Sequence, residues 1–70
     1  MTDNPEFEKH EQMIINTLYR ANRPLTPNKI SEMTGMAWQT VDKYLKRLHR
    51  RDYVNKDDSG KGTQYWLRTE

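Results

Sequence analysis

The chain has 70 residues, no cysteine, a net charge of +2, a charged fraction of 31% and a mean hydropathy of −1.21. Such a length permits one small domain, residues 1–70, which buries only about 60% of its unfolded surface. Disulfides and cysteine-built zinc fingers are excluded, and no apolar run approaches the roughly 20 residues of a membrane span.

A first helix is expected to begin at Asn4-Pro5, with Asn4 as the cap and proline in the first helical position. Phe7, Ile14, Ile15 and Leu18 fall near one face of it. It should stop near Ala21 or Asn22, ahead of Arg23-Pro24. Leu25, isolated between prolines, suits a strand of one to three residues. Thr26-Pro27 repeats the cap-then-proline signal and predicts a second helix over 27–34, with Ile30 and Met33 inward and Gly35 as its terminator. A third helix is expected over 37–51. Val41, Tyr44, Leu45 and Leu48 lie on one side of it, and Gln39, Lys43, Lys46 and Arg50 on the other. After Asp52 the period becomes strand-like. Residues 53–56 and 63–68 should pair as a hairpin around the loop Asp57-Asp58-Ser59-Gly60-Lys61-Gly62, with Tyr65 and Leu67 on one face and Trp66 and Arg68 on the other.

Charge is unevenly distributed. Residues 1–42 carry four Lys/Arg (Lys9, Arg20, Arg23, Lys29) against six Asp/Glu, whereas residues 43–70 carry eight against four. This asymmetry suits a face built for a polyanion, although a solvated basic surface produces the same count.

Helix, short strand, helix, glycine turn, basic helix and hairpin, in that order, resemble the winged helix-turn-helix family. The residues that carry the likeness are Leu25-Thr26, Ile30-Ser31-Glu32, Thr34-Gly35-Met36, Thr40-Val41, Lys43 to Leu48, and Tyr53-Val54. They look like small DNA-binding transcription regulators of bacteria and archaea. The resemblance implies a mainly α fold with a small antiparallel β-hairpin: three helices plus a two- to three-stranded wing sheet. It also implies a recognition helix over 37–47 and a wing over 55–63. One departure is Ala37, where the family commonly carries serine; alanine offers no capping oxygen, at a cost of about 1 kcal/mol. Either packing of Met36 and Val41 offsets that loss, or the free amides near Gln39 and Thr40 receive a DNA phosphate.

A DNA major groove admits one α-helix, so the polar front of the third helix is the candidate interface with double-stranded DNA. Gln39 can bond an adenine edge, and Lys43 can donate to guanine. Lys46, Arg47 and Arg50 suit phosphates, which position a protein without specifying sequence. Arg51 falls nearer the core flank and suits an acidic partner. Trp38 has two readings: packing in the crevice between the second and third helices, or contact with a thymine methyl or sugar. Thr40 can touch phosphate or support the turn. On the wing, Lys56 and Lys61 can approach the backbone or minor groove, opposed by Asp57 and Asp58.

Trp66, or Tyr19 and Met13 on the first helix, could anchor a homodimer that reads two half-sites about one DNA turn apart. Nothing in the sequence suggests an enzyme, a cofactor or a small-molecule substrate. His10 and His49 are isolated, Glu6 and His10 alone cannot make a metal site, and no phosphate-binding glycine loop follows a strand. A disulfide-free domain of this size fits the cytoplasm, and the acidic N-terminus does not read as a signal peptide. The competing function is a winged-helix protein-interaction module. RNA binding is a third option, but the stacked aromatic motifs of common RNA modules are lacking.

Overall fold

A computed structural model describes residues 7–60 and 62–68. The first helix, α1, spans Lys9–Ala21. It begins later than the Asn4-Pro5 signal, and both of those residues lie outside the described ones. Glu8 is the cap, with extended backbone (φ −74°, ψ 164°), and the Glu11 carboxylate reaches back to accept its N–H at 3.1 Å. This reciprocal box fixes the start at Lys9. Phe7, expected within the helix, therefore precedes it and packs edge-on against Tyr53, ring centroids 4.8 Å apart. Ile14 and Leu18 are buried and Ile15 is half-buried, as their spacing predicts. The helix ends where expected, with Asn22 in the left-handed conformation (φ 53°).

Leu25 makes the short strand as a single antiparallel bridge to Tyr65, with reciprocal N–H···O bonds of 2.8 Å. The second helix, α2, spans Pro27–Thr34; Thr26 Oγ1 accepts the Lys29 N–H at 3.1 Å and Gly35 ends it at φ 79°. Ile30 is fully buried, but Met33, expected inward, is 48% exposed. The reason is the turn that follows. Ser31 Oγ donates to the Met36 carbonyl, and Thr34 Oγ1 accepts the Met36 N–H at 3.2 Å. The chain reverses so that Met36 packs against the core and Met33 is left on the rim.

The third helix, α3, spans Trp38–Arg50, with Ala37 as an N-cap whose side chain makes no bond. Val41, Leu45 and Leu48 are inaccessible to solvent. Asp52, in the left-handed region at φ 67°, turns the chain into the hairpin. Strands β1 (Val54–Asp57) and β2 (Gln64–Leu67) pair antiparallel in register Val54↔Leu67 through Asp57↔Gln64. The core joins Ile14, Leu18, Leu25, Ile30, Val41, Leu45, Leu48, Val54 and Tyr65, so every element contributes to it. Its effect is to hold α3 by one side only.

Candidate nucleic-acid interface

At 100° per residue, the buried Val41, Leu45 and Leu48 occupy an arc of about 60° on α3. Gln39, Lys43, Lys46 and Arg50 occupy a second arc of about 60°, roughly opposite, and all four are exposed. The spacing therefore gathers the expected front residues on one solvent face.

They differ in how free they are. Arg50 and Gln39 have no ion pair or side-chain hydrogen bond among the described residues. Lys43 stands with its Nζ 5.6 Å from the Tyr44 ring centroid. Lys46 is paired one turn back with Asp42 at 3.0 Å, which offsets part of its charge.

One flank of α3 is committed to α1. Arg47 Nη2 lies 3.4 Å from Glu8 Oε2, and its Nε lies 3.6 Å from Glu11 Oε2. Its guanidinium also sits 5.4 Å from the Tyr44 ring centroid. Tyr44 Oη donates to Glu8 at 3.0 Å, and His10 stacks on the Tyr44 ring at 5.4 Å. The hydrogen bond to the Glu8 carboxylate holds the Tyr44 phenol above its ordinary pKa. Arg51 pairs with an acid as its position implied: its Nη1 lies 3.6 Å from Glu11 Oε1, and its guanidinium sits beside both the Phe7 and Tyr53 rings, 5.4 and 5.1 Å from their centroids.

Glu11 is the residue that sequence reasoning missed. Its side chain is 1% exposed, yet it faces two arginines and caps α1. The signals were present: glutamates at 8 and 11, and arginines at 47 and 51 on one flank of a basic helix.

The opposite flank of α3 carries Trp38, Asp42 and His49. Burial pushes the Tyr65 phenol up in pKa, and the Asp42 and Asp58 carboxylates add to that. Trp38 is 55% exposed, which contradicts one of its two readings, packing in the crevice between α2 and α3. Around α3, Trp38 lies about 20° from Leu45 and about 60° from Val41, on the border of the buried arc, and Met36, from the turn before it, is the side chain packed against the core there. Thr40 is half-buried on the other flank.

On the hairpin, Lys56 is exposed and 3.9 Å from Asp58. Lys61 lies outside the described residues. The two tip acids are used locally. Asp57 Oδ1 accepts from the Ser59 N–H at 2.9 Å and from Ser59 Oγ at 2.7 Å, and Asp58 accepts from Thr63 Oγ1 at 2.9 Å. The Ser59 bonds hold the Asp57 carboxyl below its ordinary pKa.

Trp66 is half-buried beside a shallow groove of about 320 Å³, lined also by Leu18, Tyr19, Asn22, Arg23, Pro24 and Leu67. Tyr19, 76% exposed, stands on its edge. The two surfaces named separately from sequence, Trp66 and the first helix, thus meet in one place. Among the described residues no group of side chains could hold a metal ion, and no helix is long and apolar enough to cross a membrane.

A family model described as winged helix-turn-helix DNA-binding matches residues 7–55. The fold is similar to the crystal structure of the AntR antimony-specific transcriptional repressor, at 21% identity and a TM-score of 0.80. That match covers 89% of this chain and 55% of the repressor chain, so this chain spans little more than half the length of its structural neighbour. No curated protein sequence matches this one.

Proposed function

This chain belongs to the winged helix-turn-helix DNA-binding family, and on that premise we propose that it binds duplex DNA sequence-specifically, as a transcriptional regulator, by laying α3 in the major groove. The observation that carries the reading is the front of α3: Gln39, Lys43, Lys46 and Arg50, all exposed, opposite the buried side. Gln39 and Lys43 are the base readers, suited to adenine and guanine respectively. Lys46 and Arg50 contact phosphates. Arg47 is a lesser phosphate contact, because its charge is already shared with Glu8 and Glu11. Thr40 and the first-turn amides of α3 receive a phosphate at the end left uncapped by Ala37. Lys56 and Lys61 bring the wing to the backbone or minor groove. The unit is one domain over residues 1–70, acts in the cytoplasm and performs no catalysis.

The groove of Tyr19 and Trp66 is the proposed homodimer surface, lying on α1 and β2 rather than on the front of α3. Two copies joined there would address two half-sites. The alternative reading, a protein-interaction module, would use the same groove without DNA.

Fluorescence anisotropy with random-sequence duplex separates the two. With about four phosphates neutralised, affinity should fall on the order of 100-fold between about 50 and 200 mM salt. Negligible binding to any duplex at the lower salt would favour the interaction module instead.

A further inference from the structure

We infer that Trp38 is a specificity residue, packing its indole on a thymine 5-methyl group beside the base edge that Gln39 reads. This rests on the duplex-binding reading above.

Trp38 is the first residue of α3, at the end of a groove-bound helix whose side chains come nearest to base edges. Its side chain has no hydrogen bond or ring contact among the described residues. The local fold does not depend on it. The turn before α3 is fixed by Ser31 and Thr34 on Met36, the inward place is filled by Val41, and the helix cap is Ala37. The flank it occupies is also open. The α1 side of α3 is covered by Glu8, His10 and Glu11, whereas Trp38 lies on the other side, next to Gln39 in sequence and about 100° from it around the helix.

A largely exposed indole in the first turn of α3, one residue from Gln39, is an apolar surface that a groove-bound helix would carry to the duplex. The indole carries no charge and one N–H, so a phosphate is a poor match. Stacking on bases requires an unpaired strand. The major groove of a duplex offers one apolar group, the thymine methyl. With adenine suited to the neighbouring Gln39, the two residues together select A·T pairs at adjacent positions.

The test starts from duplexes that the wild-type protein selects out of a random library. Each is remade with deoxyuridine for thymidine, which removes only methyl groups. Burying one methyl corresponds to about a fourfold gain in affinity. Wild-type protein should therefore bind the deoxyuridine duplex about fourfold more weakly per contacted methyl. Trp38→Ala should bind both duplexes equally, and Trp38→Leu should keep part of the difference. Equal wild-type affinity for both duplexes would overturn the proposal. So would full discrimination by Trp38→Ala, or selection of sites without thymine. If Trp38→Ala fails to fold, the wild-type comparison and Trp38→Leu still decide. Failure to bind any duplex at low salt would refute duplex binding itself, a result distinct from binding without methyl discrimination.

Discussion

Replacing Glu11 probes the join between α1 and the basic helix. Its carboxylate is 1% exposed and accepts the Glu8 N–H at 3.1 Å, with Arg47 and Arg51 each 3.6 Å away. Glu11→Gln preserves volume and an acceptor oxygen and removes the charge. At an effective dielectric near 20, each pair has a gross attraction of about 4–5 kcal/mol. Most of that is cancelled, because Glu11 was desolvated to make it and the arginine side chains, 42% and 37% exposed, regain water when it goes. A net loss of about 1.5 kcal/mol remains. Glu11→Ala also deletes the cap bond and the buried methylenes, for about 3 kcal/mol in all. For a domain of this size these losses lower Tm by roughly 9 °C and 18 °C. Thermal unfolding followed by circular dichroism at neutral pH reads both. If Glu11→Gln melts at or above the wild-type temperature, the carboxylate contributes no net stability. If Glu11→Ala is no worse than Glu11→Gln, the capping role is wrong as well.

Gly35→Ala should cost about 1–2 kcal/mol from backbone strain alone, since φ is 79° and nothing lies within 4 Å of the added carbon. Urea unfolding should show a lower midpoint with an unchanged slope. The Asp57 carboxyl has a depressed pKa in the folded protein, so its hold on Ser59 is complete above the ordinary carboxylate pKa and is lost as pH falls through the depressed value. The Ser59 amide resonance should move over that acidic range, and in Asp57→Asn the movement should vanish. Gln39→Ala should relax base choice at one position in a binding-site selection while leaving stability within about 0.5 kcal/mol; an unchanged base preference would remove Gln39 from the readout.

Much of this architecture is legible in the chain because its punctuation is local. Thr26-Pro27 and Gly35 bound α2 by chemistry that acts within a few residues, and the alternation in α3 places its two faces without tertiary knowledge. Leu25 and the hairpin follow for the same reason. What escaped was set by packing between distant segments. Asn4-Pro5 looked like a helix start, but the Glu8–Glu11 box, anchored by arginines some 40 residues later, fixes the start at Lys9. Burial of Glu11 depends on the same partners. Met33 read as inward on periodicity, yet the Gly35 turn carries Met36 to the core and leaves Met33 at the surface, and of the two readings of Trp38 the buried one fails. The face of α3 was thus readable, and so was an acidic partner for Arg51 on its flank, while the partner's identity and the engagement of Arg47 were not. Arg47, which shared a basic run with Lys46, proves to be engaged with α1.

The salt dependence of DNA affinity in Lys46→Ala/Arg50→Ala tests the central claim most directly. Both side chains lie on the exposed arc of α3, away from the core, so their loss should leave the fold intact. If they neutralise phosphates, binding to all duplexes weakens alike and the log–log salt slope becomes shallower by about 1.8. An affinity and slope equal to those of the wild type would show that DNA does not meet the protein on this face.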